Sequence, residues 1–281
     1  MMAADMGNTN ETMMEYSPIK SHGDAAIYFR VPASIILDGN QDSSRLSAFS
    51  FFSIRRGIDN SLTFTINGMA RWLMRKPDRH AGGTNERLSR CVSYLADCGY
   101  LSISDFQSET DATLNVSKIS DECDNDRFAI IYLDELKSIL NRNPKSADAT
   151  LLVFAWLRMR IARRRNKLLP EEILDTYDKS IDARRKNGPD AYDCHLNEIA
   201  DELGLSMRMI SKAIDILNDI GLIYSEQLPR TNVNGKWQTN HTIFCNMYKR
   251  ENGSLLASGE GYYMNEIENK KIKLDKINGK R

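Results

Sequence analysis

The 281-residue sequence lacks the features that mark several large classes of protein. It has no apolar run as long as a membrane span, and its N-terminal stretch has no apolar core of the signal-peptide kind. Its five cysteines have no pairwise spacing, and Cys91, Cys98 and Cys245 fall within apolar patterns. We therefore expect buried, reduced thiols in a soluble cytoplasmic protein without membrane contact.

The sequence also has little of what catalysis needs. No G-x-x-x-x-G-K-[ST] loop is present to bind nucleotide phosphates. Cys194-His195 is the most metal-like pair, but no second pair accompanies it. The four histidines include no H-x-H pair, which excludes a nicking site built on paired histidines: His22, His80, His195 and His241. We expect no enzymatic activity, no cofactor and no metal.

Net charge is absent as well, because 38 basic residues balance 38 acidic ones. Many DNA-binding domains are basic overall, so the zero net charge is weak evidence against a protein whose whole surface binds nucleic acid. The charge is nevertheless segregated, and a local patch acts within a Debye length whatever the total. Residues 158–167 and 270–281 are basic, whereas residues 108–127 are mainly acidic.

What the sequence does contain is a long internal duplication. "LSRCVSYLADCGYL" (88–101) matches "ISKAIDILNDIGLI" (210–223), and "INGMARWL" (66–73) matches "LNEIADEL" (196–203). A long apolar helix is predicted before each match, and a β-prone run before each helix. A repeat of this length indicates a duplicated domain rather than a solenoid, whose units span about 20–50 residues.

The second copy contains the pattern of a helix-turn-helix. Its first helix has apolar residues at i, i+3, i+4 and i+7, after which Gly204 is placed to end it with positive φ. Ser206 is placed to cap the next helix. That helix should bury Ile210, Ala213, Ile214 and Leu217, and should direct Arg208, Ser211, Lys212 and Asp215 outward.

A predicted β-hairpin, or wing, follows each second helix. In the second copy, Asn234-Gly235 is a strong hairpin-turn signal between two β-prone segments, and Lys236 would lie near the tip. The first copy has a stretched turn, with Thr84 or Asn85 as candidate cap, and a long acidic wing over 104–126. The copies share one order of elements but differ in their surfaces.

The pattern I-A-x-x-L-G-L-S…I-S-K-A-I-D-x-L-x-x-x-G-L-I resembles winged helix-turn-helix proteins, especially the replication initiators and replisome organisers of plasmids and phages. The resemblance covers about residues 25–248. It implies DNA-facing positions for Arg208, Ser211 and Lys212, and for Arg87, Ser89 and Arg90 in the first copy. Ser206 and Lys236 join this predicted DNA-binding set.

The predicted architecture is mainly α with small β-hairpins (α+β), built as two tandem winged-helix domains. A flexible leader (1–24) precedes the first domain (25–133), which we call the first copy. The second copy (134–248) has an inserted helix near 170–186, and a basic tail (249–281) follows. Arg163, Arg164 and Arg165 form either a phosphate-contacting ridge or a solvated helix end.

Three functions stay open on the sequence. The first is sequence-directed binding of double-stranded DNA as a replication initiator of a plasmid, phage or other mobile element. The second is transcription regulation, with one DNA-reading and one dimerising winged helix. The third is protein assembly without DNA readout. The partners implied are double-stranded DNA and replication or transcription proteins, with a homodimer as an alternative, in the bacterial cytosol or nucleoid.

Overall fold

Helices and small antiparallel sheets make up the α+β fold of the protein. A computed structural model describes residues 27–39, 42–104, 113–120, 128–167, 191–227, 232–233, 236–237, 242–249 and 255–257. This mixture of helices and small antiparallel sheets is compatible with the α+β class predicted from the sequence. The predicted leader, the predicted inserted helix and nearly all of the basic tail lie outside the described residues.

The first copy begins with a strand and a short helix, and then alternates helices with the strands of one sheet. In chain order its elements are β1 (Tyr28–Pro32), α1 (Ala33–Leu37), α2 (Ser44–Arg55), β2 (Leu62–Phe64), α3 (Ile66–Trp72), α4 (Thr84–Asp97), β3 (Leu101–Ser104) and β4 (Leu114–Ile119).

The same order recurs in the second half of the chain. The elements there are β5 (Phe128–Tyr132), α5 (Leu133–Arg142), α6 (Ala147–Lys167), β6 (Ala191–Cys194), α7 (Leu196–Leu203), α8 (Met207–Asp219), β7 (Ile223–Gln227), β8 (Asn232–Val233), β9 (Lys236–Trp237), β10 (Thr242–Lys249) and β11 (Leu255–Ala257).

Each copy has an antiparallel sheet whose strands come in the same spatial order. In the first copy the order is β2-β4-β3, and in the second it is β6-β10-β7. The strand that precedes the two consecutive helices therefore lies at one edge, and β4 and β10 lie in the middle. In the second copy β11 also pairs with β10, at the end of that strand. The duplication seen in the sequence thus extends to the path of the chain.

The strands β1 and β5, which begin the two halves, pair with each other. They run antiparallel, with Arg30 opposite Ile130 at the centre and Tyr28 opposite Tyr132 at one end. Because the two strands hold equivalent positions, this pairing relates the starts of the two halves by a local two-fold axis. The helices α1 and α5 follow directly from the paired strands.

The long helices α2 and α6 pack against each other at the centre of the molecule. A helix that is apolar all round must be buried, and residues 151–159 of α6 are buried on every side. Six large apolar residues of these two helices are fully buried: Leu46, Phe49, Phe52, Phe154, Trp156 and Leu157. One continuous apolar cluster therefore joins the two copies.

Two buried arginines hold the short helices onto this core. Arg45 of α2 donates through Nε to the Ile35 carbonyl (2.6 Å) and through Nη2 to the Ile36 carbonyl (3.0 Å), at the end of α1. In the second copy, Arg158 of α6 pairs instead with the buried carboxylate of Glu135 in α5. A buried cation is tolerated only when it is paired and hydrogen-bonded.

Candidate nucleic-acid interface

The turn between α7 and α8 has the geometry that its sequence predicts. Gly204 ends α7 in the left-handed region, with φ +64°, and its N–H donates to the Ala200 carbonyl. Ser206 caps α8, because its side chain accepts a hydrogen bond from the Met209 N–H at 3.4 Å. Both predictions are confirmed, and they fix the direction in which α8 leaves the turn.

Helix α8 has one buried face and one exposed face. The four predicted core residues are buried, and Ile216, which the spacing did not single out, is buried too. The opposite face exposes the predicted polar residues Arg208, Ser211, Lys212 and Asp215. Met207 and Met209 flank Arg208 and are each 41% exposed, so the exposed face has apolar edges that the sequence reading missed.

The cations on this face form no ion pair with the acids that the structure describes. Within the described part of the chain, neither Arg208 nor Lys212 has a carboxylate within ion-pair distance, whereas Asp219 at the far end of α8 pairs with Arg142 at 2.8 Å. Free, exposed guanidinium and ammonium groups are the donors that bind phosphates and guanine edges. The face can therefore accept an anionic ligand without breaking an internal ion pair.

A contact with α6 holds the helix-turn-helix in place. Glu202 of α7 accepts a hydrogen bond from the Trp156 indole N–H (2.8 Å) and forms an ion pair with Arg160. The Arg160 guanidinium also lies 5.2 Å from the centre of the Trp156 ring. Three side chains thus anchor α7, and through the short turn α8, on the central helix.

The first two arginines of the basic stretch 158–167 are engaged within the protein. Arg158 and Arg160 pair with Glu135 and Glu202, so they are internal and contribute nothing to a phosphate-contacting ridge. Helix α6 continues to Lys167, but the side chains of Arg163, Arg164 and Arg165 lie outside the described residues. The ridge stays a prediction for those three arginines alone.

The first copy also touches the turn of the second. A Cβ placed on Gly204 would lie 2.3 Å from the Gly39 carbonyl oxygen, and one placed on Gly39 would lie 3.1 Å from the Gly204 nitrogen. Backbone therefore meets backbone here, with no room for a side chain at Gly204 and only a tight fit for one at Gly39. The segment that follows α1 therefore packs against the turn between α7 and α8, which sets the direction of α8.

In the first copy, the Arg87 side chain is only partly exposed, at 39%, and its DNA-facing role stays a prediction. Its guanidinium makes two 2.9 Å hydrogen bonds to the Asp42 carboxylate and a third, at 3.0 Å, to the Ser44 hydroxyl. Burial alone would raise the pKa of the Asp42 carboxyl, but the hydrogen bonds from Arg87 and Ser44 hold it well below its ordinary value. Arg87 is thus committed to an internal ion pair.

Asp148, at the start of α6, extends this network into the second copy. Its carboxylate accepts hydrogen bonds from Ser44 (2.8 Å) and Ser47 (2.5 Å), and it also pairs with Arg75. Arg87 lies 3.7 Å from the same carboxylate. The two arginines of the first helix-turn-helix therefore serve to join the copies.

The remaining predicted residues of α4 present a smaller cationic surface. Arg90 is exposed but lies 3.9 Å from Glu86, one turn earlier, and Ser89 is only half-exposed. Neither Thr84 nor Asn85 caps the helix, because Gly83 holds the cap position without a side-chain bond. Asn85 is buried instead and donates to Asn67 at 2.7 Å.

The structure describes the two predicted wings only in part. In the second copy, β8 and β9 pair with Val233 opposite Lys236, as a hairpin around residues 234–235 requires. The side chain of Lys236 lies outside the described residues, and so does most of the acidic stretch of the first wing. The expectation that the wings differ in charge at their tips therefore stays a prediction.

The cysteines are confirmed as buried at Cys91 and Cys245, while Cys98 is exposed, against expectation. Burial, with a smaller effect from Asp42 and Asp148, raises the pKa of the Cys91 thiol to about 12. Among the described residues, no group of three or more His, Cys, Asp or Glu side chains is placed to hold a metal ion.

Comparison of the chain with known protein families and with curated protein sequences finds no match. In the part of the chain that the structure describes, no helix combines the length and the apolar character needed to cross a membrane. The candidate interface therefore has to be judged on its own geometry.

Proposed function

We propose that the two copies are tandem winged helix-turn-helix domains and that the protein binds double-stranded DNA in a sequence-directed manner. The repeated order of helix, strand, two helices and two strands of one sheet, with the later of those two strands (β4 or β10) central, supports the domain assignment. A second helix of this motif lies in the major groove, and a following hairpin contacts the neighbouring backbone.

One observation carries the proposal: α8 exposes Arg208, Ser211 and Lys212 on one face, and neither cation has an ion-pair partner among the residues that the structure describes. Positions 208, 211 and 212 lie on adjacent turns, since residues three and four apart are neighbours on a helix. The free cations supply salt-dependent attraction to phosphates and bidentate pairing with guanine. Lys236 on the wing and Arg163–Arg165 beyond the core would add phosphate contacts.

For the biological role we propose a replication initiator of a plasmid, phage or other mobile element, as the sequence resemblance implies. The second copy would read the origin, and the first would make a weaker DNA contact or recruit replication proteins. A transcription regulator is the second candidate. It is favoured by the internal use of Arg87 and Arg75, which leaves the first copy fewer cations for DNA than a second reading domain would have.

The test is selection of binding sites from random duplex DNA at two salt concentrations, followed by affinity measurements on the enriched site. Arg208→Ala with Lys212→Ala should weaken binding about a hundredfold, and Arg90→Ala by less than about fivefold. Lys137→Ala with Lys145→Ala removes the same charge from exposed positions outside α8, and serves as the matched control.

Each outcome separates the candidates. Enriched direct repeats favour the initiator, and a single palindrome favours the regulator. Weak binding without an enriched sequence would overturn the proposal and favour a protein-assembly role. Equal losses from the α8 pair and from Arg90 would overturn the ranking of the two copies.

A further inference from the structure

Asp215 is an acid on the face of α8 that we propose to contact DNA. It is exposed, and it follows Lys212 by three residues and Arg208 by seven, so all three lie on the same side of the helix. Within the described residues Asp215 has no hydrogen-bond or ion-pair partner, whereas Asp219, four residues on, is neutralised by Arg142 at 2.8 Å.

A free carboxylate at this position opposes general attraction to DNA. It would lie near phosphates, and repulsion between like charges weakens binding to every sequence alike. Packing does not require it either, because the buried face of α8 is formed by other residues. Its effect on binding can be favourable only where a base edge offers it a hydrogen-bond donor.

The major groove offers two such donors, and they are not equivalent. Cytosine presents its N4 amine as its only polar group there, whereas adenine places the N7 acceptor beside its N6 amine. A carboxylate only accepts hydrogen bonds, so adenine N7 would repel it. Cytosine is therefore the base that Asp215 can recognise.

On the basis of the proposed function, we infer that Asp215 is a specificity-determining residue that accepts a hydrogen bond from a cytosine N4 amine. Seven residues of helix rise about 10 Å, which matches about three base pairs of B-DNA. The target should therefore contain a guanine contacted by Arg208 and a cytosine about three base pairs away. Where that cytosine is missing, the carboxylate stays unpaired and binding is weakened.

The experiment compares site selection and affinities for the full chain and for Asp215→Ala. For the wild type, changing the cytosine of the enriched site to thymine should weaken binding about tenfold. Replacing it with a 2-pyrimidinone nucleotide, which removes only the N4 amine, should weaken it by a similar factor. Asp215→Ala should discriminate less than about twofold at that position, and should bind random 20-base-pair duplexes about twice as tightly as the wild type.

Asp201→Ala is the matched control, because Asp201 is an exposed acid on α7, outside α8. It should keep the cytosine preference while altering general affinity by a similar amount. Two results would overturn this inference and leave the proposed function standing. One is a cytosine preference that Asp215→Ala keeps, and the other is a wild-type affinity that removal of the N4 amine does not change. Failure of the wild type to enrich any sequence would instead overturn the proposed function on which it rests.

Discussion

The second helices of the two copies, α4 and α8, share a sequence pattern but use their arginines differently. Arg87 binds Asp42 and Ser44 and lies near Asp148, so it belongs to the junction between the copies. Arg208 is exposed, with no acid in reach among the described residues. The duplicated motif therefore has the same backbone path in both copies. The residues packed around each copy determine which of its cations remain available to bind a ligand.

The turns before these helices differ in the same way. In the alignment of 66–73 with 196–203, the next residues are Met74 and Gly204. Both have left-handed backbone conformations, with φ +58° and +64°. Only Gly204 is also pressed against a neighbouring backbone, that of Gly39. The first copy thus tolerates a side chain where the second cannot.

The largest expected effect comes from filling that contact. Gly204→Ala should lower the free energy of unfolding by about 3 kcal/mol or more, since it adds the strain of a left-handed alanine to a clash with the Gly39 carbonyl. Urea unfolding followed by circular dichroism measures the loss. Because the same turn aims α8, DNA affinity should fall with it.

Gly99→Ala separates strain from the clash. Gly99 has φ +77°, and a Cβ there would meet nothing within 4 Å, so only the conformational cost of about 1 kcal/mol is expected. Equal losses from the two alanine variants would show that the contact between Gly39 and Gly204 adds nothing to stability.

An intermediate effect is expected from removing Arg87. Arg87→Ala should lower the free energy of unfolding by about 1–2 kcal/mol, because the carboxylate of Asp42 loses two hydrogen bonds at a partly exposed site. Arg208→Ala should change it by less than about 0.5 kcal/mol, as expected of an exposed side chain without partners. Thermal unfolding of both variants, with DNA affinity measured in parallel, gives the comparison.

The ion pair between Arg87 and Asp42 should also make the stability of the protein depend on pH. The pKa of Asp42 is lowered in the folded state, so its contribution is fully present above the unfolded value of about 3.9 and is lost as the pH falls below it. The wild type should therefore be more stable than Asp42→Asn at about pH 5, and this difference in the free energy of unfolding should shrink as the pH is lowered through the unfolded pKa. A difference that stays constant with pH would contradict the assignment.

These contrasts show what the sequence could and could not predict. The buried stripe of α8, the Ser206 cap and the bend at Gly204 depend on residues a few positions apart, so local pattern was enough. The ion pair of Arg87 could not be predicted because its partner Asp42 lies 45 positions away, and that of Arg75 could not because Asp148 lies 73 positions away. Which cation meets which acid depends on how α2, α4 and α6 pack, and periodicity carries no information about that.

The smallest effect tests the turn of the first copy. Met74→Gly should raise the free energy of unfolding by about 0.5–1 kcal/mol. Relief of left-handed strain contributes about 1–2 kcal/mol, and the greater freedom of glycine in the unfolded chain offsets part of it. Met74 is 43% exposed, so removal of its partly buried side chain offsets a further part of the gain.

Lys76→Gly is the control in the same turn, because Lys76 is exposed and has no positive φ. At position 76 glycine only adds freedom to the unfolded chain, so the free energy of unfolding should fall by roughly 0.5 kcal/mol. If the free energy of unfolding rises in Met74→Gly and falls in Lys76→Gly in the same urea titrations, the first copy retains a strained residue where the second has glycine. A loss at Met74 would mean that its side chain stabilises the turn through contacts that outweigh the strain, and the two turns would then differ in packing as well as in strain.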